Sequence, residues 1–343
     1  MSAKARSPYI VGPWYDWLFF LLPPTAALGL GVAISNSAIT NEFFDFHGND
    51  VTWAGLGIGV FIHAHLFAVF FRSHVNPSIL RLHPFRFITV PIALFAAMMW
   101  SPWVIVSCSV LATFWDVYHS GLQTFGFSRI YDSKVGNSPT AGRRLDWWLN
   151  HLLYAGPIVA GATMMDHFED FNEFEMVGSA FLTAVPAWME GNQRYFTWSI
   201  LGAGLLFLIY YVYAYWRLSR QGYQVSRLKV FLLTSTGLCS IYSWGFNSWG
   251  EAFFIMNFFH ALQYFGLVWA FERKHITTAL GVSRLRFGAP LALLVFLSIT
   301  FAYGYFVQAF DTSIRAFWGL TLIVSLMHFW YDGFIWSVKK KQV

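Results

Sequence analysis

The residues of this chain that could do chemistry are histidines set inside apolar runs, several with a carboxylate or amide one helical turn away. One run reads FIHAHLFAVFFRSH and carries His63, His65 and His74; another reads WDVYHSGLQTFG, with Asp116, His119 and Gln123. A third opens DWWLNHLLY, with His151, a fourth reads NFFHALQYFG, with His260, Gln263 and Tyr264, and a fifth reads MHFWYDGFIW, with His328 and Asp332. Ionisable groups are costly in hydrocarbon and face a bundle interior when they occur there. Imidazole is the commonest transition-metal ligand, and a neighbouring carboxylate or amide can join it or orient its ring. A histidine-rich, thiolate-poor set of this kind suits Fe, with Zn and Cu as the other candidates.

Spacing divides the candidates. Residues three, four or seven apart share a helix face, so Asp116, His119 and Gln123 go together, as do His260 with Gln263 and His328 with Asp332. His63 and His65 lie about 200° apart on the helical wheel, so one of the two at most faces a common site. His119, His260 and His328 are the leading ligands, followed by one of His63 or His65 and then His151. Asp116, Asp332 and Tyr264 are the candidate catalytic groups, and Gln123 and Gln263 are candidates for holding the cofactor's surroundings. Tyr118, Tyr131 and Tyr331 also lie beside these positions. Taken singly, an intramembrane histidine can equally well bond a neighbouring helix.

The elements that must position these groups are membrane helices. The chain is 57% apolar and 11% charged, far from a soluble average. Apolar runs fall near 14–35, 52–72, 86–100, 101–128, 146–165, 195–216, 228–246, 251–272, 288–309 and 315–337, most of them able to cross roughly 30 Å of hydrocarbon. The expected fold is therefore an all-α, polytopic integral membrane bundle of about ten spans, forming one transmembrane domain over 1–343. Ser101 and Pro102 must make a tight turn between the third and fourth spans. Pro23–Pro24 should kink the first span and Pro157 the fifth.

Charge fixes the expected orientation. With the N-terminus inside and alternating spans, all of the 22 Lys and Arg residues except Arg194 and Arg315 fall in inner segments. Both termini are then cytoplasmic, 129–145 is a basic inner loop and 166–193 an acidic outer one. Under this topology the histidines occupy one layer. His65 is seven residues before Arg72, His119 ten before Arg129, His260 thirteen before Arg273 and His328 eleven before Lys339, while His151 is seven after Arg144. At 1.5 Å per residue these depths lie roughly 10 to 20 Å from the inner boundary.

The net charge of +5 is thus a topology signal and not a nucleic-acid footprint. Residues 1–12 lack a secretory signal's apolar core, so the first span is expected to be retained. Cys108 and Cys239 fall inside spans and read as small buried residues. His74 and His83 read as interfacial, and His47, His167 and His275 as solvated loop residues. Asp16 and Glu251 read as helix-end groups open to water. The expected location is a bacterial inner membrane, with lipids and an apolar small molecule as partners.

The helix-and-histidine layout, with His65, His119, His260 and His328 inside aromatic-rich spans such as HFWYDGFIW, resembles the bacterial membrane carotene dioxygenases of the Brp/Blh type. The resemblance implies cleavage of a carotenoid at its central double bond by iron held on histidines. The clustered HxxxH and HxxHH boxes of membrane desaturases are missing from the sequence. The leading expectation is an intramembrane iron oxygenase acting on a long lipid, isoprenoid or carotenoid. The alternatives are a haem b electron-transfer subunit ligated by a pair such as His119 and His260, a proton or metal-ion transporter, and a purely structural subunit.

Overall fold

A computed structural model describes residues 7–310 and 313–336. Lys4, Arg6 and Lys339, Lys340 and Lys341, on which the expected placing of both termini rests, lie outside them. Each of the ten apolar runs is helical: α1 (Pro23–Ile34), α2 (Trp53–Ser73), α3 (Val90–Trp100), α4 (Pro102–Lys134), α5 (Arg143–Ala160), α6 (Val185–Arg220), α7 (Arg227–Phe246), α8 (Trp249–Ala279), α9 (Gly288–Ala309) and α10 (Arg315–Ile335). Between α1 and α2 lies one antiparallel ribbon, β1 (Phe43–Phe46) with β2 (Asn49–Thr52). Its turn puts His47 and Gly48 at positive φ.

Among the described residues four helices are long and apolar enough to cross a membrane, namely α2, α6 with its preceding turn, α8 and α9. A fifth span results if Pro13–Leu21 and α1 are taken as one; Pro23 and Pro24 lie just past the break, where the helix bends by 50°. By this measure the chain is a membrane protein. Helices α4, α5, α7 and α10 are 33, 18, 20 and 21 residues long, yet fall outside that set. Their polar residues, described below, lower their hydropathy.

Local sequence explains the breaks. Ser101 is extended (φ −126°, ψ 124°) and Pro102 opens α4, so α3 and α4 meet at a single-residue corner. Helix α5 runs through Pro157 without interruption. Helix α6 begins ten residues earlier than its apolar run, because polar residues can prolong a helix beyond hydrocarbon. The expected loop 129–145 shrinks from both sides, with α4 reaching Lys134 and α5 starting at Arg143.

Helix α8 is the axis of the bundle and packs against α1, α2, α7 and α9. Helix α2 also meets α9 and α10, and α4 meets α5, α7 and α10. Lipid is as apolar as leucine, so such helices associate through close packing at small residues. At Gly304 of α9 a Cβ would overlap the Val60 carbonyl of α2, and Gly31 of α1 lies against Ile255 of α8 in the same way. Helix α6 packs mainly on α5 and exposes Trp198, Leu201, Leu205, Leu206 and Tyr210.

Candidate metal centre

Four histidines from four helices converge: His65 of α2, His119 of α4, His260 of α8 and His328 of α10. Each is at most 4% exposed. Their rings form a closed circuit, with centroids 5.0 Å apart for His65–His260, 5.2 Å for His260–His119, 4.7 Å for His119–His328 and 5.0 Å for His328–His65. Adjacent rings are nearly perpendicular, at 73° to 87°. Ligand nitrogens of His65, His260 and His328 all lie within 4.8 Å of one another, and so do those of His119 and His328 with an oxygen of Asp332.

The hydrogen bonds leave this centre incomplete. Both nitrogens of His65 and Nε2 of His260 are buried without a partner among the described residues. His328 Nδ1 lies 3.1 Å from the Leu66 carbonyl, which makes Nδ1 the protonated nitrogen and leaves a lone pair on Nε2. That Nε2 stands 3.0 Å from His119 Nε2. Two nitrogens bound at right angles to one ion at about 2.1 Å are separated by about 3.0 Å, so these residues fit a shared metal. A porphyrin must lie between its two axial imidazoles; rings packed in one circuit leave no such slot.

Asp332 lies beside the circuit. Its Oδ2 is 3.8 Å from His119 Nε2 and 3.7 Å from His328 Nε2. Its Oδ1 accepts from Tyr264 Oη and Trp336 Nε1, each at 2.8 Å. The carboxylate is thereby aimed with one oxygen held and the other facing the imidazoles. Tyr264 also packs on the His328 ring at 4.5 Å.

Other predicted residues sit elsewhere. His63 points away from His65, bonding the Gly59 carbonyl at 2.8 Å and Gln308 at 3.2 Å. His151 bonds the Trp147 carbonyl at 2.7 Å and packs between Trp147 and Tyr118. Asp116 lines a separate cavity of about 390 Å³, with Tyr154, Asp166, Glu169, Asp170 and Trp244. Gln123 and Gln263 tie backbones together: Gln123 Nε2 donates to the His260 carbonyl and to Gln263 Oε1, each at 3.0 Å, and Gln263 Nε2 donates to the Phe20 carbonyl at 2.8 Å. They hold α8 in place without bonding an imidazole.

Two solvated readings are corrected. His167 is 3% exposed, bonds the Thr163 carbonyl and packs on Trp244 and Trp249, because the segment after α5 folds back against the helices. Asp16 is fully buried and accepts from the backbone N–H groups of Ile10, Val11 and Gly12 and from Tyr131. Glu251 is half-buried in the first turn of α8, a helix-end place as expected, and also accepts from Ser35 just past α1.

The sequence reading missed the residues that brace Asp332. Arg72, taken only as a topology marker, donates twice to the Ile335 carbonyl, at 3.1 and 2.8 Å, and stacks on Trp336 at 3.7 Å. It also pairs with buried Glu272, which accepts from Asn76 at 2.9 Å. Glu272, an acid inside the last turns of an apolar run, was the available signal. No family model, curated protein or solved structure matches this chain.

Proposed function

We propose that the chain is an intramembrane non-haem iron oxygenase acting on a long apolar lipid, isoprenoid or carotenoid, in a bundle of about ten spans with both termini cytoplasmic. The observation that carries this reading is the circuit of four buried imidazoles whose nitrogens face one another with too few hydrogen-bond partners. Buried polar groups are paired in folded proteins, so such a gap calls for an explanation and a bound ion supplies one. The resemblance to the Brp/Blh carotene dioxygenases is part of the same proposal.

His65, His119, His260 and His328 would hold the metal. When bound, iron with an open position would supply oxygen chemistry. Asp332, held by Tyr264 and Trp336, would place Oδ2 beside the Nε2 atoms of His119 and His328, where it could join them on the same ion. The Leu66 carbonyl fixes the tautomer of His328. Next to His119 and His328, Phe329, Leu66 and Val324 are buried, and Ile62, Phe67, Phe70, Trp115 and Tyr303 form a half-buried aromatic and aliphatic wall over them. Such a wall suits a polyene or acyl chain entering between helices, and would exclude water from the metal.

Turnover tests the reading. Iron-loaded protein in detergent, given oxygen and a carotenoid or unsaturated lipid, should consume oxygen and yield an oxygenated product that mass spectrometry detects. The His328→Ala variant should give none. Iron-loaded protein that takes up no oxygen with any apolar substrate class would overturn the oxygenase reading.

A further inference from the structure

The segment that follows α5 folds back over the first half of α4, and a cavity of about 390 Å³ lies between them, bounded also by the end of α7 and the start of α8. Its wall carries four carboxyl groups, Asp116 from α4 and Asp166, Glu169 and Asp170 from the segment, and no lysine or arginine. Asp166 and Glu169 are exposed while Asp116 and Asp170 are half-buried, so the acidic wall runs from the surface inward. Burial pushes the Asp170 carboxyl above the ordinary carboxylate range, Thr113 pulls it back by a hydrogen bond, and nearby Glu169 adds to the rise. Carboxyl groups gathered in this way repel one another, and a cation among them would relieve that.

The rest of the wall is largely aromatic. Trp244, Trp249 and Phe253 line it in sequence, with ring centroids 5.6 Å apart for the first pair and 5.3 Å for the second. The face of an aromatic ring attracts a cation within about 6 Å, and tryptophan does so best. His167 packs on two of these rings, 4.5 Å from Trp249 and 5.3 Å from Trp244, and is the residue that points to a ligand. It is 3% exposed and lines the cavity. Its Nδ1 donates to the Thr163 carbonyl at 2.8 Å, so Nε2 holds the lone pair, and that nitrogen has no hydrogen-bond partner among the described residues. Burial lowers the pKa of this imidazole, against the pull of Thr163 and Asp166, which keeps it a neutral acceptor. A buried acceptor set among carboxyl groups calls for a donor that is also a cation.

Size and spacing separate an organic cation from a metal ion. Among the described residues, three ligand atoms within 4.8 Å of one another occur only in the histidine circuit and its Asp332 neighbour. The carboxyl groups of this cavity are thus too dispersed to close on one compact ion, whereas its volume falls in the range of about 300–1,000 Å³ that holds small organic molecules. We propose that the cavity binds a small organic ammonium ion, whose N–H groups meet the carboxylates and His167 Nε2 and whose carbon frame lies against Trp244, Trp249 and Phe253. The site is separate from the metal centre and does not rest on the oxygenase reading. Such an ammonium group arrives either on a free amine or on a lipid headgroup, and the test separates the two sources.

The probe is tyramine, with para-propylphenol as its uncharged isostere, each titrated calorimetrically into the full chain in detergent. Tyramine should bind saturably, and para-propylphenol about tenfold more weakly, because it keeps the ring and loses the charge. His167→Phe keeps the ring packing, removes Nε2 and should weaken tyramine about tenfold. Glu169→Gln changes an exposed side chain that the fold does not need and should weaken it about two- to fivefold. Thermal melting confirms that both variants are folded. Binding lost in phosphatidylethanolamine nanodiscs but kept in phosphatidylglycerol ones supports the proposal with a lipid headgroup as occupant; binding kept in both supports it with a free amine. Equal affinity for the two probes, or wild-type affinity in folded His167→Phe and Glu169→Gln protein, would overturn it. So would stoichiometric Ca²⁺ binding at these carboxylates with no binding of tyramine, which would make the cavity an inorganic-ion site.

Discussion

The two most polar interiors of the molecule solve the cost of burial in opposite ways. At the Arg129–Asp132–Asp146–Lys229 cluster all four carboxylate oxygens have donors. Asp132 and Asp146 each meet both cations, at 2.5 to 2.9 Å, and Tyr211 and Tyr215 donate to Asp146 while Tyr223 donates to Asp132. Arg129 Nη2 donates to the Pro139 and Ala141 carbonyls, with only Arg129 Nε unmet. At the four-histidine circuit the balance is reversed, with three ring nitrogens unmet and two others facing each other. A finished network pins α4, α5 and α7 together. Under the metal proposal the unfinished one receives an ion, and the two should then respond differently to mutation.

The largest effect should fall on the finished network. Lys229→Met or Asp146→Ala leaves buried charge uncompensated and should cost about 3–5 kcal/mol, read from denaturant unfolding in detergent. His260→Ala should do the reverse: bound metal falls to background, while the unfolding midpoint of metal-free protein moves far less than in Lys229→Met. If His260→Ala destabilises the metal-free protein as much as Asp146→Ala, the circuit is a packing network and the contrast fails.

Asp332→Asn preserves shape and removes charge, and should weaken metal affinity by about 10–100-fold in a chelator competition. Tyr264→Phe deletes one hydrogen bond to the same carboxylate and should cost only about 0.5–1.5 kcal/mol of binding, roughly tenfold or less. His63→Ala and His151→Ala, remote from the circuit, should leave metal content unchanged. Metal lost in His151→Ala would extend the site to α5, against the geometry.

Much of this arrangement could be read from sequence, because helix depth is a one-dimensional property. Counting residues to the nearest basic group puts His65, His119, His260 and His328 in one layer, and the structure brings those four together. Azimuth is harder. His151 shares the depth, yet α5 turns it toward Trp147 and Tyr118, and no count along one helix determines that. The charged cluster was hidden for another reason. Arg129 and Lys229 sit near helix ends, where cations ordinarily report topology; Asp132 is one turn from Arg129, but Asp146 lies on α5 and Lys229 on α7, so the network closes only when three helices meet. Likewise Arg72 became a brace for Asp332 only once α2 and α10 were adjacent.

The most direct test of the central claim is elemental analysis with a visible spectrum on detergent-purified protein, comparing wild type with His119→Ala and His260→Ala. The account predicts stoichiometric iron in wild type, no Soret band, and loss of iron in both variants while they remain folded. A Soret band, or a folded wild-type protein that binds no transition metal even when supplied with it, would contradict the account.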